Sequence, residues 1–442
     1  MTTRDNRIGA AVAAATCTLL GSTAPADVRA EEPERWDFDT ALLYYSEDGD
    51  RVRDMSAIVM TRRDFDDDRY LSLDLTVDSL TGASPNGAIA SDGPQTFTGP
   101  SGGDIYQTPA GEIPLDDSFL DTRVAFDVGW TQPFGRLYTL AAGVGYSTEY
   151  DYTHLGANLG VTRDFNRRNT TLSAAVAWAQ EDIDPVGGAP TPFAPMGDVE
   201  DESDEGDEAG EGGTQSKDVL DVLLGLTQVL GPSTVLRVNF SFSDSSGYLT
   251  DPYKILSVVD PVTGDTLPHT PEPGMSGPSG VYLYESRPDS RSKESLYAEV
   301  KHDFAGQVLG VSYRYATDDW GIDSHTLDAR LRWPIGESDY LEPHLRYYTQ
   351  TAADFYRFSL VDGEPLPEFA SADARLAELD GVTLGLKYGH RTASGSEWNA
   401  RLELYQQSGH VPAEQIIGNQ AQRPQFPDLD AVIVQVGYRF RL

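Results

Sequence analysis

Histidine is the side chain best suited to acid–base work near neutral pH, and this chain has seven: His154, His269, His302, His325, His344, His390 and His410. Catalysis would need a nucleophile or a second ligand at fixed spacing. None of the seven lies in a G-x-S-x-G, H-E-x-x-H or other metal-spaced pattern. No Cys-x-x-Cys-His haem site, phosphate loop or dinucleotide fingerprint is present, and the one cysteine, Cys17, falls in a segment expected to be removed. The expectation is a protein that is not an enzyme, with no catalytic, cofactor-binding or metal residues. The acidic run Asp198 to Glu211 lacks the ligand spacing of an EF-hand. Its composition is that of a solvated, disordered loop, with weak, non-specific Ca2+ association as a secondary effect.

Three other segments combine turn formers with fixed charges or aromatic rings, and they are the candidate functional motifs. They are Ser84, Pro85 and Asn86; Asp251, Pro252, Tyr253 and Lys254; and Arg287, Asp289 and Arg291. Such residues can tie an ordered loop down through ion pairs, or they can hold a ligand.

What positions them is legible in the hydropathy period. In Phe119 to Thr131, Leu120, Thr122, Val124, Phe126, Val128 and Trp130 alternate with Asp121, Arg123, Ala125, Asp127 and Gly129. Only a strand sorts residues this way. The same alternation recurs in Tyr70 to Ser79, in Ser324 to Trp333 and in the closing run from Val432 to Leu442. About sixteen such segments (14 to 18) are expected, starting near Trp36, Val52, Arg69, Phe119, Arg136, Tyr150, Thr170, Asp218, Ser233, Ser295, Gln307, Asp323, Ser338, Leu379, Glu397 and Asp430. Their length suits a tilted strand that crosses a bilayer.

The connections give an independent test, because an outer-membrane barrel has short periplasmic turns and long outer loops. The five longest, near 80–118, 181–217, 244–294, 350–378 and 407–429, all follow odd-numbered strands. The tight ones at 132–135, 230–232, 305–306, 334–337 and 391–396 all follow even ones. Trp36, Trp130, Tyr146, Trp178, Tyr315, Trp333, Tyr388 and Trp398 lie near strand ends, as interfacial girdles require. Tyr438, Phe440 and Leu442 at the end of the chain look like the C-terminal signal read by the barrel-insertion machinery, with Leu in place of the usual aromatic.

The N-terminus is an address. Arg4 and Arg7 precede the apolar run Ile8 to Leu20, and small residues follow at Ala24-Pro25-Ala26 and Val28-Arg29-Ala30. Residues 1–30 are therefore read as a cleaved signal peptide, leaving 31–442 as one all-β, transmembrane antiparallel barrel domain. The whole chain of 442 residues has a formal charge of -37, which opposes nucleic acid and anionic membrane surfaces alike. The expected setting is the outer membrane of a Gram-negative bacterium, with its lipid and lipopolysaccharide as surroundings.

Taking the polar strand faces as lumen, acids such as Asp37, Asp39, Asp74, Asp78, Asp127 and Asp221 nearly balance bases such as Arg123, Arg237, Arg330, Arg346, Arg401 and Arg439. Cross-strand charge ladders stiffening the wall are favoured over a selectivity filter. The 244–294 loop is expected to fold into the mouth as a plug, with Asp251, Arg287, Asp289 and Arg291 paired to the wall.

Together with Ala41-Leu42-Leu43-Tyr44-Tyr45-Ser46-Glu47 and Arg346-Tyr347-Tyr348-Thr349-Gln350, the three loop motifs resemble an uncharacterised bacterial outer-membrane barrel family, domain-of-unknown-function family 3570. The resemblance spans nearly all of the mature chain and implies a Gram-negative outer-membrane setting without a substrate or catalytic residue. Members are often encoded beside a periplasmic flavin transferase, which implies redox or flavin-linked partners. The functional expectation is a porin-like channel or exporter for a small solute, plugged by the 244–294 loop. The alternative is a non-conducting barrel that docks a periplasmic or surface partner.

Overall fold

The computed structural model describes residues 35–49, 51–65, 68–98, 105–185, 187–200 and 213–442. The expected signal peptide and most of the acidic run lie outside the described residues.

Sixteen antiparallel strands close into one barrel: β1 (Arg35–Glu47), β2 (Arg53–Asp64), β3 (Tyr70–Pro85), β4 (Leu115–Phe134), β5 (Tyr138–Thr148), β6 (Tyr152–Phe165), β7 (Thr170–Ile183), β8 (Gln215–Gly231), β9 (Thr234–Gly247), β10 (Ser290–Phe304), β11 (Gln307–Asp318), β12 (Asp323–Ile335), β13 (Asp339–Gln350), β14 (Glu378–Arg391), β15 (Glu397–His410) and β16 (Leu429–Arg441). The closing pair is β1 with β16, where Phe38 lies opposite Phe440 and their rings stack at 5.0 Å. Closure leaves no unpaired strand edge, which a bilayer core would penalise heavily.

The period of two decides which face meets lipid. Leu75 and Val77 of β3 lie opposite Phe126 and Val124 of β4, and all four are exposed apolar side chains. The alternate residues, Asp74 and Asp78 opposite Asp127 and Arg123, point inward. The same sorting runs around the barrel, so the exterior is a continuous apolar belt. Trp130, Trp178, Trp333, Trp398 and Tyr438 stand exposed on it, as membrane girdles require. Among the described residues no helix is long and apolar enough to cross a membrane.

The long connections are not a fringe. The segments after β3, β7, β9, β13 and β15 pack together over one end of the barrel and form a core of their own. Phe97, Tyr106, Met196, Ile255 and Tyr282 make one cluster, drawn from three loops. A second joins Ile89, Val259, Phe358 and Val411 from four. A small sheet, with 255–259 between 282–284 and 360–361, crosses from the loop after β9 to the one after β13. Gly87, at φ +99°, lets the first of these loops lie against that sheet, since a Cβ there would collide with the Ile255 carbonyl. The 244–294 loop, expected to fold into the mouth, lies there as one layer of a cap built from five loops. Even the edge of the acidic run is ordered, with Asp198 meeting His269 at 2.8 Å and the backbone of 199–200 pairing with 275–276.

Candidate functional site

The three motifs singled out in the sequence meet beneath the cap. Lys254 donates to the Pro85 carbonyl at 2.5 Å, the Ile255 amide donates to the Asn86 carbonyl at 2.9 Å, and the Glu285 amide donates to the Lys254 carbonyl at 3.1 Å. Asn86, almost fully buried, donates from Nδ2 to the Tyr106 hydroxyl at 2.8 Å. Arg287 lies 2.6 Å from Glu285 and 2.7 Å from Asp373, while Arg375 reaches Asp251 at 2.6 Å and also grips Asp373. Ser371 donates to Glu285. Three carboxylates and three cations are therefore buried together, spanning the loops after β9 and β13. Asp373 and Arg375 were missed by sequence reasoning, since their partners are far away in the chain, Arg287 at 86 residues from Asp373 and Asp251 at 124 from Arg375.

Burial opposes each charge, and the geometry decides which survive it. Burial pushes the Lys254 ammonium down and the Glu285 carboxyl up, the latter against the pull of Arg287. For Asp373, burial is outweighed by the two guanidiniums of Arg375 and Arg287, which hold it well below the usual carboxylate range. Arg287 is likewise held above its ordinary value by Glu285 and Asp373 despite its burial.

The four residues expected to pair with the wall are placed differently. Arg291 does pair with the wall, meeting Asp318 at the end of β11 at 2.5 Å and stacking over Trp320 at 4.3 Å. Arg287 meets Glu285 on its own loop and Asp373 on the loop after β13, and Asp251 meets Arg375 on that same neighbouring loop. Asp289 takes part through its backbone carbonyl, which accepts from the Gly247 amide at 2.8 Å. Of the remaining motif residues, Tyr253 reaches the wall side: its hydroxyl donates to Asp151, between β5 and β6, at 2.6 Å. Pro252 lines a small cavity of about 110 Å³ with Glu181, Lys217, Lys293 and Arg375. Ser84 sits where β3 and β4 shift register. Three carboxylates beside this junction, Asp121, Glu149 and Asp151, lie within 4.8 Å of one another, close enough to share a cation. Tyr438 and Leu442 are exposed on the membrane face of the closing strand.

Exposure along the lumen face separates two ends. At the capped end, Glu47, Glu181, Ser245, Gln350, Leu379 and Gln407 are buried, and Gln350 donates to the carbonyls of Arg375 and Ala377 at 2.9 and 2.8 Å. At the other end the side chains of Lys301, Arg330, Arg439 and Arg441 are about half exposed or more (54, 45, 63 and 62%). Among the described residues the lumen face is therefore covered at the capped end and carries exposed charged side chains at the other, where Thr131, Tyr340 and Asn399 are buried.

Around the circumference the charges are also sorted. One half of the wall presents Asp54, Asp74, Asp78, Asp121, Asp127 and Asp221, from β2, β3, β4 and β8, with Arg123 among them. The other presents Arg314, Arg330, Arg332, Arg346, Lys387 and Arg401, from β11 to β15, with Asp328, Glu342 and Glu403 between them. Ladders exist as expected: Asp78 with Arg123, Arg237 with Glu299, and at the seam Asp39 with Arg439 and Asp37 with Arg441. The balance expected for the whole lumen hides this separation.

A closed, even-stranded antiparallel wall with an apolar outer belt, a charged interior and long loops on one side defines an outer-membrane β-barrel. Residues 9–440 match the family model described as "Protein of unknown function (DUF3570)", and the chain belongs to that family. No curated protein matches it. Among solved structures, it is similar to a bacterial polysaccharide outer membrane secretin at 10% identity and a TM-score of 0.42, covering 92% of this chain and 98% of that one. The outer membrane protein opdK from Pseudomonas aeruginosa aligns at 11% identity and a TM-score of 0.38, with 93% and 99% covered. A monoaromatic hydrocarbon channel, CymD, aligns at 8% identity and a TM-score of 0.37, with 93% and 88% covered. At these scores the likeness decides nothing about what passes through this chain's barrel.

Proposed function

We propose that this barrel is a channel for a small hydrophilic solute, closed at its outer mouth by the five-loop cap and opened when the cap shifts. The observation that carries the reading is the gradient of exposure inside the barrel: a charged, accessible lumen at the periplasmic end leads to a separately packed unit at the outer end. A barrel of sixteen strands is wide enough for an aqueous path, and a wall built only for stiffness has no need of exposed charged side chains. The ion network beneath the cap is the latch, because it ties the loops after β9 and β13 to each other more than to the wall.

Single-channel recording in planar bilayers tests this. The folded protein is expected to give small or rare openings, and removal of residues 255–283 is expected to give frequent discrete steps of larger conductance. A deletion variant that inserts, keeps heat-modifiable migration and is still silent would overturn the channel in favour of a barrel that docks a partner.

A further inference from the structure

On the basic half of the lumen, β10 to β13 form an open recess of about 580 Å³ lined by Lys301, Arg314, Arg330, Arg332 and Arg346 among others. Its carboxylates are already engaged. Glu299 lies 3.4 Å from both Arg237 and Lys301, Asp328 meets His344 at 2.7 Å and Arg330 at 3.3 Å, and Glu342 lies directly opposite Lys387 on β14. Arg332 lies over the Tyr340 ring at 3.7 Å and within 3.8 Å of Glu397. Arg314 and Arg346 are left: among the described residues neither has a carboxylate within ion-pair distance, Arg314 has the Tyr297 ring at 5.6 Å, and Arg346 lies opposite Asp328, which His344 and Arg330 already hold. Both project into the same recess from alternate strands, with β12 between them.

Two guanidiniums share this recess, and the carboxylate facing one of them, Asp328 opposite Arg346, is already held by His344 and Arg330, so the pair carries more positive charge than its surroundings balance. A guanidinium presents a planar fork of donors that fits a carboxylate or a phosphate through two parallel hydrogen bonds. We propose that Arg314 and Arg346 form a binding site for the oxyanion group, carboxylate or phosphate, of a small solute entering from the periplasmic end. The assignment rests on the reading of the lumen as a solute path and names the class of solute that path favours. The acidic half of the wall repels the same group, so an anion is confined to the arginine side.

Calorimetric titration of the detergent-solubilised, folded protein with inorganic phosphate and, separately, with succinate at low ionic strength tests the site without requiring conduction. Saturable binding of either anion is expected. Response to phosphate alone, or to succinate alone, tells which oxyanion the recess prefers. Arg314→Gln and Arg346→Gln are each expected to weaken binding at least tenfold, Arg314→Lys to weaken it less, and Arg167→Gln, in the turn between β6 and β7, to leave it unchanged. Because neither arginine is in an ion pair and Asp328 keeps His344 and Arg330 when Arg346 is changed, the two Gln variants are expected to fold and to melt close to the parent protein. Absence of saturable binding of both anions to the folded parent protein, or binding that survives the Arg314→Gln/Arg346→Gln double variant, would overturn the site. Binding without any conductance after cap deletion would instead sink the channel and leave the site standing.

Discussion

The two ends of this lumen treat charge in opposite ways. Under the cap, Asp251, Lys254, Glu285, Arg287, Asp373 and Arg375 are withdrawn from water and each has a partner of opposite sign close by. Below the cap, Arg330, Arg439 and Arg441 stay wetted, and midway along the wall neither Arg314 nor Arg346 has a carboxylate within ion-pair distance. The first arrangement fixes a structure, since buried charges that lose a partner are costly. The second leaves charge available to something that arrives.

Breaking the latch should give the largest effect. Arg287→Ala leaves Glu285 and Asp373 buried with less compensation, and a loss of about 3–5 kcal/mol is expected for such a site. The cap should become protease-sensitive, and conductance should rise, while the barrel keeps its heat-modifiable migration. Phe97→Ala, at the fully buried centre of the cap's aromatic cluster, removes a ring packed against Tyr106 and Tyr282 at 5.2 and 4.8 Å. About 3 kcal/mol of cap stability should be lost, read as faster amide exchange in 86–98 and 281–284, with the amides of the closing strand unaffected.

Acid should act on the cap as well. Hydrogen bonds from Arg423 hold Asp92 and Asp265 below the usual carboxylate range, and Arg423 thereby ties together the loops after β3, β9 and β15. A carboxylate whose folded pKa is depressed contributes stability that is present above its unfolded value, about 3.9, and is lost as pH falls through the folded value. Amide exchange near 92, 265 and 423 should therefore quicken below about pH 4, and Arg423→Gln should remove the pH step. At the open end, Arg439→Gln breaks an exposed pair with Asp39, and a change of less than about 1 kcal/mol in barrel stability is expected. A large effect there would erase the contrast between the two ends.

The barrel was largely legible in the sequence and the cap was not. All sixteen expected strand positions correspond to strands of the barrel, because lipid on one side and water on the other impose a period of two on every strand. Leu75 and Asp74 declare their faces without any knowledge of their partners. Nothing comparable marks Asp373 as the partner of Arg287. Loop packing has no period, and which loop meets which is set by the order in which the closed barrel arranges strand ends. The charge separation lay in the sequence but vanished in the total; grouping Asp74 with Asp127, and Arg314 with Arg346, required the strand neighbours.

The cap also bears on the order of events during assembly. Asp92 and Arg423 stand 331 residues apart in the chain yet share two hydrogen bonds, and the pairs around Asp373 and Arg375 reach back to segments emerging long before them. Contacts between such distant segments carry a loop-closure cost that zipping neighbouring strands does not. The seam between β1 and β16 brings the loops after β3 and β15 within reach of each other, so the Asp92–Arg423 tie is expected to form after closure, whereas the network around Asp373 needs only the strands from β9 to β13. A barrel whose seam has not closed is therefore expected to lack that tie and to be cut more readily by protease in the loops after β3 and β15.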